Sequence, residues 1–89
     1  MKRFLPLGSV VKIRGVDHQV LIYGRAQQDL TTNKYYDYIG CEYPLGMRDL
    51  HSGILFNNNA ISEVFFVGFQ DIEELEYRKA FTEYLEKNL

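Results

Sequence analysis

From Gly8 to Phe69 the chain is a succession of short β-branched and aromatic runs, each stopped by glycine, proline or a polar cluster. A helical pattern begins only at Asp71. Strand after strand followed by one helix is an α+β order, and that order constrains the fold more than any other feature. In GSVVKIRG, 8–15, Val11 and Ile13 alternate with Val10, Lys12 and Arg14. GVDH reads as a tight turn, and QVLIYGRA, 19–26, as the second arm of a hairpin. Both faces of that arm are largely apolar, which suits a central strand.

After the polar loop QQDLTTNK, a third strand is expected in KYYDYIGCEY, 34–43. Tyr35, Asp37, Ile39 and Cys41 share one face; Tyr36, Tyr38 and Gly40 share the other. Gly40 marks a bulge or a close packing contact. Pro44 cannot continue a central ladder, so PLGMRDLHSG is a turn or loop. ILF is a short apolar run, NNNAI has room for one helical turn, and SEVFFVGF, 62–69, is a further strand. In the final helix, Asp71 is a good N-cap and Glu74 completes a D-x-x-E capping box. Tyr77, Ala80, Phe81, Tyr84 and Leu85 form an apolar stripe at spacings of three and four, from which Ile72 and Leu75 point away.

Bulk properties narrow the function classes. The 89 residues suffice for one domain, 1–89. A net charge of −2 without a Lys/Arg run disfavours nucleic-acid binding. One cysteine allows no internal disulfide. No stretch approaches the roughly 20 apolar residues of a membrane span, and MKRFLPLGSVVKIRG lacks the apolar core of a signal peptide. A soluble, cytoplasmic protein is expected.

Three segments, LPLGSVVKIRG, YDYIGCEYPLG and FNNNAISEVFFVGFQDIEE, together resemble a family of short Firmicute proteins, domain-of-unknown-function family 4176. Its members combine an LPxGSVV start, a YDYxGCxYPxG centre and an F-N-x-x-x-I-x-x-V-x-F-x-G-[FY] end. The resemblance runs from about Leu5 to about Phe81. Such genes lie near type VII secretion genes and their LXG-type toxins, so the resemblance implies an accessory role there as targeting factor, chaperone or interaction partner. It implies no catalytic residue. The matching positions, such as Pro6, Gly40, Cys41, Phe56 and Gly68, read as a fold signature.

Candidate sites are weighed against plainer readings. Cys41 would need a nearby base to act as a nucleophile, and the two histidines, His18 and His51, fall in turns. In mid-strand it reads as a small buried hydrophobe. Asp49 and His51, even with Asp37 and Cys41, lack the paired spacings of a zinc site. The acids of DIEELE fan out into water on one helix turn. FFVGF lacks the basic neighbours of an RNA-binding sheet and reads as core packing. No catalytic, metal or cofactor residues are assigned. Tyr35, Tyr36, Tyr38 and Tyr43 put rings on both faces of one strand. With Ile72 and Leu75, they are the candidate partner-binding residues.

The expected fold is therefore a strongly bent antiparallel sheet of about five strands, or a partial barrel, with one C-terminal helix packed on it. The expected function is a non-enzymatic protein-interaction module serving export of LXG-type toxins, binding the toxin or another secretion accessory protein. Its surface would be exposed tyrosines, an edge strand or the free helix face. An immunity or regulatory protein that binds a toxin domain is the alternative, and a homodimer is an open assembly.

Overall fold

The computed structural model describes residues 4–88. The strands are β1 (Val10–Ile13), β2 (Gln19–Gln28), β3 (Tyr35–Tyr43), β4 (Ile54–Phe56) and β5 (Ile61–Phe66), and the helix is α1 (Ile72–Asn88). They form one sheet in the order β4-β3-β2-β1-β5, with every neighbouring pair antiparallel. The fold is α+β, and the sheet is open, with β4 and β5 as its edges, rather than closed into a partial barrel. β2 is the middle strand, as its two apolar faces require. The NNNAI segment holds a single 3₁₀ turn, Asn58–Ala60.

One face of the sheet carries the core. Val11, Ile13, Val20, Ile22, Tyr38 and Phe56 lie together there, with Phe81 and Leu85 of α1 packed on them. Phe4 is wedged between sheet and helix, 5.9 Å from the Tyr38 ring and 5.1 Å from the Phe81 ring. Gly40 makes this packing possible. A Cβ there would lie 2.6 Å from Val20 Cγ1 and 2.7 Å from the Leu21 carbonyl oxygen, so its role is close strand contact. The irregularity between β2 and β3 falls instead between Ile22 and Gly24.

The helix departs from its sequence pattern in two ways. Asp71 caps it, its Oδ1 accepting the Glu74 N–H at 2.9 Å. Glu74 does not close the box. Its carboxylate takes both arms of the Arg25 guanidinium, at 2.8 and 3.1 Å. Arg78, one turn on, lies 3.7 Å from the same carboxylate and donates to the Phe4 carbonyl at 2.8 Å. The inward face is thus Glu74, Arg78, Phe81, Thr82 and Leu85, while Tyr77, Ala80 and Tyr84 of the expected stripe are exposed. A buried bidentate ion pair outweighs a second apolar patch in setting the helix's rotation, because an unpaired buried guanidinium would be very costly. Tyr77 still contributes, stacked on Phe81 at 5.7 Å with Arg25 over its ring.

Candidate protein-interaction surface

The opposite face of the sheet is only partly covered. Pairing sets Leu21 beside both Val10 and Cys41, and Gln19 beside Tyr43, all on the side away from Val20 and the core. Over this face the loop after β3 folds back: the Tyr23 hydroxyl donates to Met47 Sδ at 3.5 Å, and Gly53 sits against Ile39 and Tyr23. Between that loop and β5 an open cleft of about 430 Å³ remains, lined by Gly8, Val10, Gln19, Leu21, Tyr43, Phe65 and Phe66. The β1–β5 register shifts between Val10 and Val11, which sets Phe65 beside Phe66, and both rings line the cleft.

β5 overturns the reading of FFVGF as core. Val64, Phe65, Phe66 and Val67 are 43–60% exposed, and Phe69 is 79% exposed. Leu7 extends the patch, because Gly68 lies directly against the Leu7 backbone and Leu7 is itself exposed. A solvent-facing edge normally carries charge, proline or a short strand. β4 meets that rule with three residues; β5 has only Glu63 over its length. Exposed apolar side chains on a sheet edge make this strand the candidate contact surface. The sequence signal was present in VFFVGF, which does not alternate as a strand with one buried face must.

The residues expected to bind a partner are scattered. Tyr38 is fully buried and belongs to the core, which removes it from any surface. Its hydroxyl accepts the Leu5 N–H at 2.9 Å and donates to Asn58 Oδ1 at 2.7 Å. Tyr35 and Tyr36 are half-buried. Tyr43 is half exposed and lines the cleft. Ile72 and Leu75 are exposed on α1, which covers the other face of the sheet, so they do not converge with Tyr43. Burial pushes the phenols of Tyr35 and Tyr38 up from 10.0, and the Asp37 carboxylate adds to the rise in both; at Tyr38 the Leu5 hydrogen bond and the charges of Arg25 and Arg78 oppose it.

The other candidates have structural tasks. Cys41 is buried, and both histidines are exposed. Asp37 and the 3₁₀ turn hold each other: Asn58 N–H donates to Asp37 Oδ2, and Asp37 N–H to Asn57 Oδ1, both at 2.9 Å. Asp49 accepts the His51 N–H at 2.8 Å in a local turn. Among the described residues no group of three or more His, Cys, Asp or Glu side chains could hold a metal ion, and no helix is long and apolar enough to cross a membrane.

A small α+β domain that offers an apolar edge and cleft is the class these features define. The family model described as "Domain of unknown function (DUF4176)" matches residues 4–77, and the chain belongs to that family. No curated protein and no solved structure matches it.

Proposed function

We propose that this protein is a non-enzymatic interaction module that acts through the cleft beside β5. The observation that carries the reading is the set of exposed aromatic side chains that line that cleft: Tyr43, Phe65 and Phe66. Aromatic anchors beside a pocket are what protein interfaces concentrate their energy in. The partner we propose, from the resemblance drawn in the sequence, is an LXG-type toxin, with the module serving as targeting factor or chaperone for type VII export. The test is co-purification from the native host with wild type and Tyr43→Asp. Recovery of the toxin's N-terminal helical region, lost by about 2 kcal/mol or more in affinity for the variant, supports the reading. Recovery of the C-terminal toxic domain favours an immunity role. Equal recovery by both proteins rejects the cleft as the site.

A further inference from the structure

The cleft on the open face of the sheet suits one kind of segment. We infer that its occupant is an amphipathic α-helix of the partner, lying on the face opposite α1 and carrying a basic residue to Glu63. The inference rests on the reading of the cleft as the interaction site and names the form and charge of the segment it takes.

Three observations favour a helix. First, the cleft spans four neighbouring strands, from Tyr43 on β3, across Leu21 on β2 and Val10 on β1, to Phe65 and Phe66 on β5. Three strand spacings make that width about 14 Å, and a helix with its side chains is about 10–12 Å across. Secondly, the lining gives an extended chain little to bond. Its side chains supply the Gln19 amide and the Tyr43 hydroxyl and are otherwise apolar. A strand laid there would bury N–H and C=O groups without partners, whereas a helix satisfies its own. A strand added at the free edge of β5 would instead extend the sheet in its own plane and leave the cleft empty. Thirdly, the border of the cleft carries an unmatched acid. Glu63 pairs with Lys12 of β1, which pairs in turn with Gln19 of the cleft. The Lys12 ammonium donates to the Val16 carbonyl at 2.6 Å, and Glu63 is exposed and makes no ion pair among the described residues. A Lys or Arg flanking the apolar stripe of the helix supplies the complementary charge. With apolar residues at i and i+3 or i+4 against Val10 and Leu21, the helix gives the sheet a layer on each face.

The test uses the N-terminal region of the toxin as the probe, bound to isotope-labelled protein, and reads amide exchange by NMR. A helix on the face leaves the outward N–H groups of β5 exchanging at their free rates, whereas a strand at the edge slows them by about tenfold or more. Within the toxin, binding should slow successive amides, as in a helix, rather than alternate ones, as in an edge strand. Affinity should fall by about tenfold or more for Leu21→Asn, in the cleft, and stay unchanged for Phe69→Asp, exposed outside it. Glu63→Lys should weaken binding by about threefold at low salt, and the difference should vanish in about 1 M salt. Thermal melts establish that each variant folds; Glu63→Lys, on an exposed side chain, decides should Leu21→Asn not fold. Slowed β5 amides overturn the inference and give the edge to a strand of the partner. Binding that ignores both Leu21→Asn and Glu63→Lys also overturns it, and so does a protein that sediments alone as a dimer and becomes monomeric with Leu21→Asn. Toxin capture that Tyr43→Asp weakens while the β5 amides slow rejects only the helix. No capture, or equal capture by wild type and Tyr43→Asp, rejects the cleft reading itself, so the two failures are distinguishable.

Discussion

Replacing Glu74 by alanine should be among the most damaging single changes in this protein, although Glu74 sits in an acidic run that reads as solvated. The Arg25 and Glu74 side chains are 7% and 14% exposed, so the pair lies largely out of water and salt screens it weakly. Removing the carboxylate strands the Arg25 guanidinium between helix and sheet. Among the described residues it keeps a long contact to the Leu5 carbonyl at 3.4 Å and the Tyr77 ring at 5.4 Å. Breaking a buried pair from one side costs about 3–5 kcal/mol, and these residual contacts place the loss near the lower end, about 3 kcal/mol. A chain of this length has a total stability of about 4–13 kcal/mol, so the loss is a large fraction of the whole. At about 4–8 °C per kcal/mol, the melting temperature should fall by about 15 °C.

Urea denaturation followed by circular dichroism measures this directly, with the double variant Arg25→Met/Glu74→Leu as the control. Apolar residues of similar volume remove both charges together, so the double variant should lie within about 1 kcal/mol of wild type. Arg78 keeps its bonds to the Phe4 carbonyl and to Gln70 Oε1 in either case. A Glu74→Ala protein within about 1 kcal/mol of wild type would show that the node is solvated. A double variant less stable than the single one would show that the pair does more than neutralise itself.

Three further outcomes follow from the geometry. Cys41→Ala should cost about 1 kcal/mol in chemical denaturation and leave toxin capture unchanged, and Cys41 should resist alkylation until the protein unfolds. Gly68→Ala should destabilise strongly and loosen β5, because a Cβ there would come 2.1 Å from the Leu7 carbonyl oxygen; exchange of the Gly68 amide, now bonded to Ser9 Oγ, reads the loosening. Burial raises the folded-state pKa of Tyr38 above 10.0, so the folded protein holds its proton where the unfolded chain releases it. The stabilisation is complete below pH 10 and is lost as pH climbs through the folded value. Tyr38→Phe should flatten that alkaline decline in melts taken across the range, while costing about 1–2 kcal/mol at neutral pH for the two hydrogen bonds it removes.

Four of the five strands were legible in the sequence because composition and punctuation are local properties, while β4 was read only as the short apolar run ILF: β3 ends at Tyr43, where Pro44 demands it, and Asp71 caps the helix as its side chain allows. What the sequence withheld was neighbourhood. The β-branched and aromatic run over 62–69 shows that a strand can form there, which the structure bounds at Ile61–Phe66, but not that β5 would stand at an edge, which depends on β1 pairing with it across some fifty residues. Helix rotation failed for a related reason. Apolar spacing favoured Tyr77 and Tyr84, yet Arg25 on β2 selects the face that carries Glu74. Two signs could have exposed this: an arginine late in an otherwise apolar strand, and Glu74, Arg78, Phe81 and Leu85 recurring on one helical face. The candidate site was legible only through Tyr43. The same lack of long-range information explains both misses. With an ion pair taking the helix's first turns, α1 packs on the core face of the sheet, and β5 is uncovered for a separate reason. A helix rotated onto its aromatic stripe would still not cover β5, because the strand lies beyond β1 at the far side of the sheet. Its phenylalanines are therefore left exposed, and the partner contact proposed above draws on that exposure.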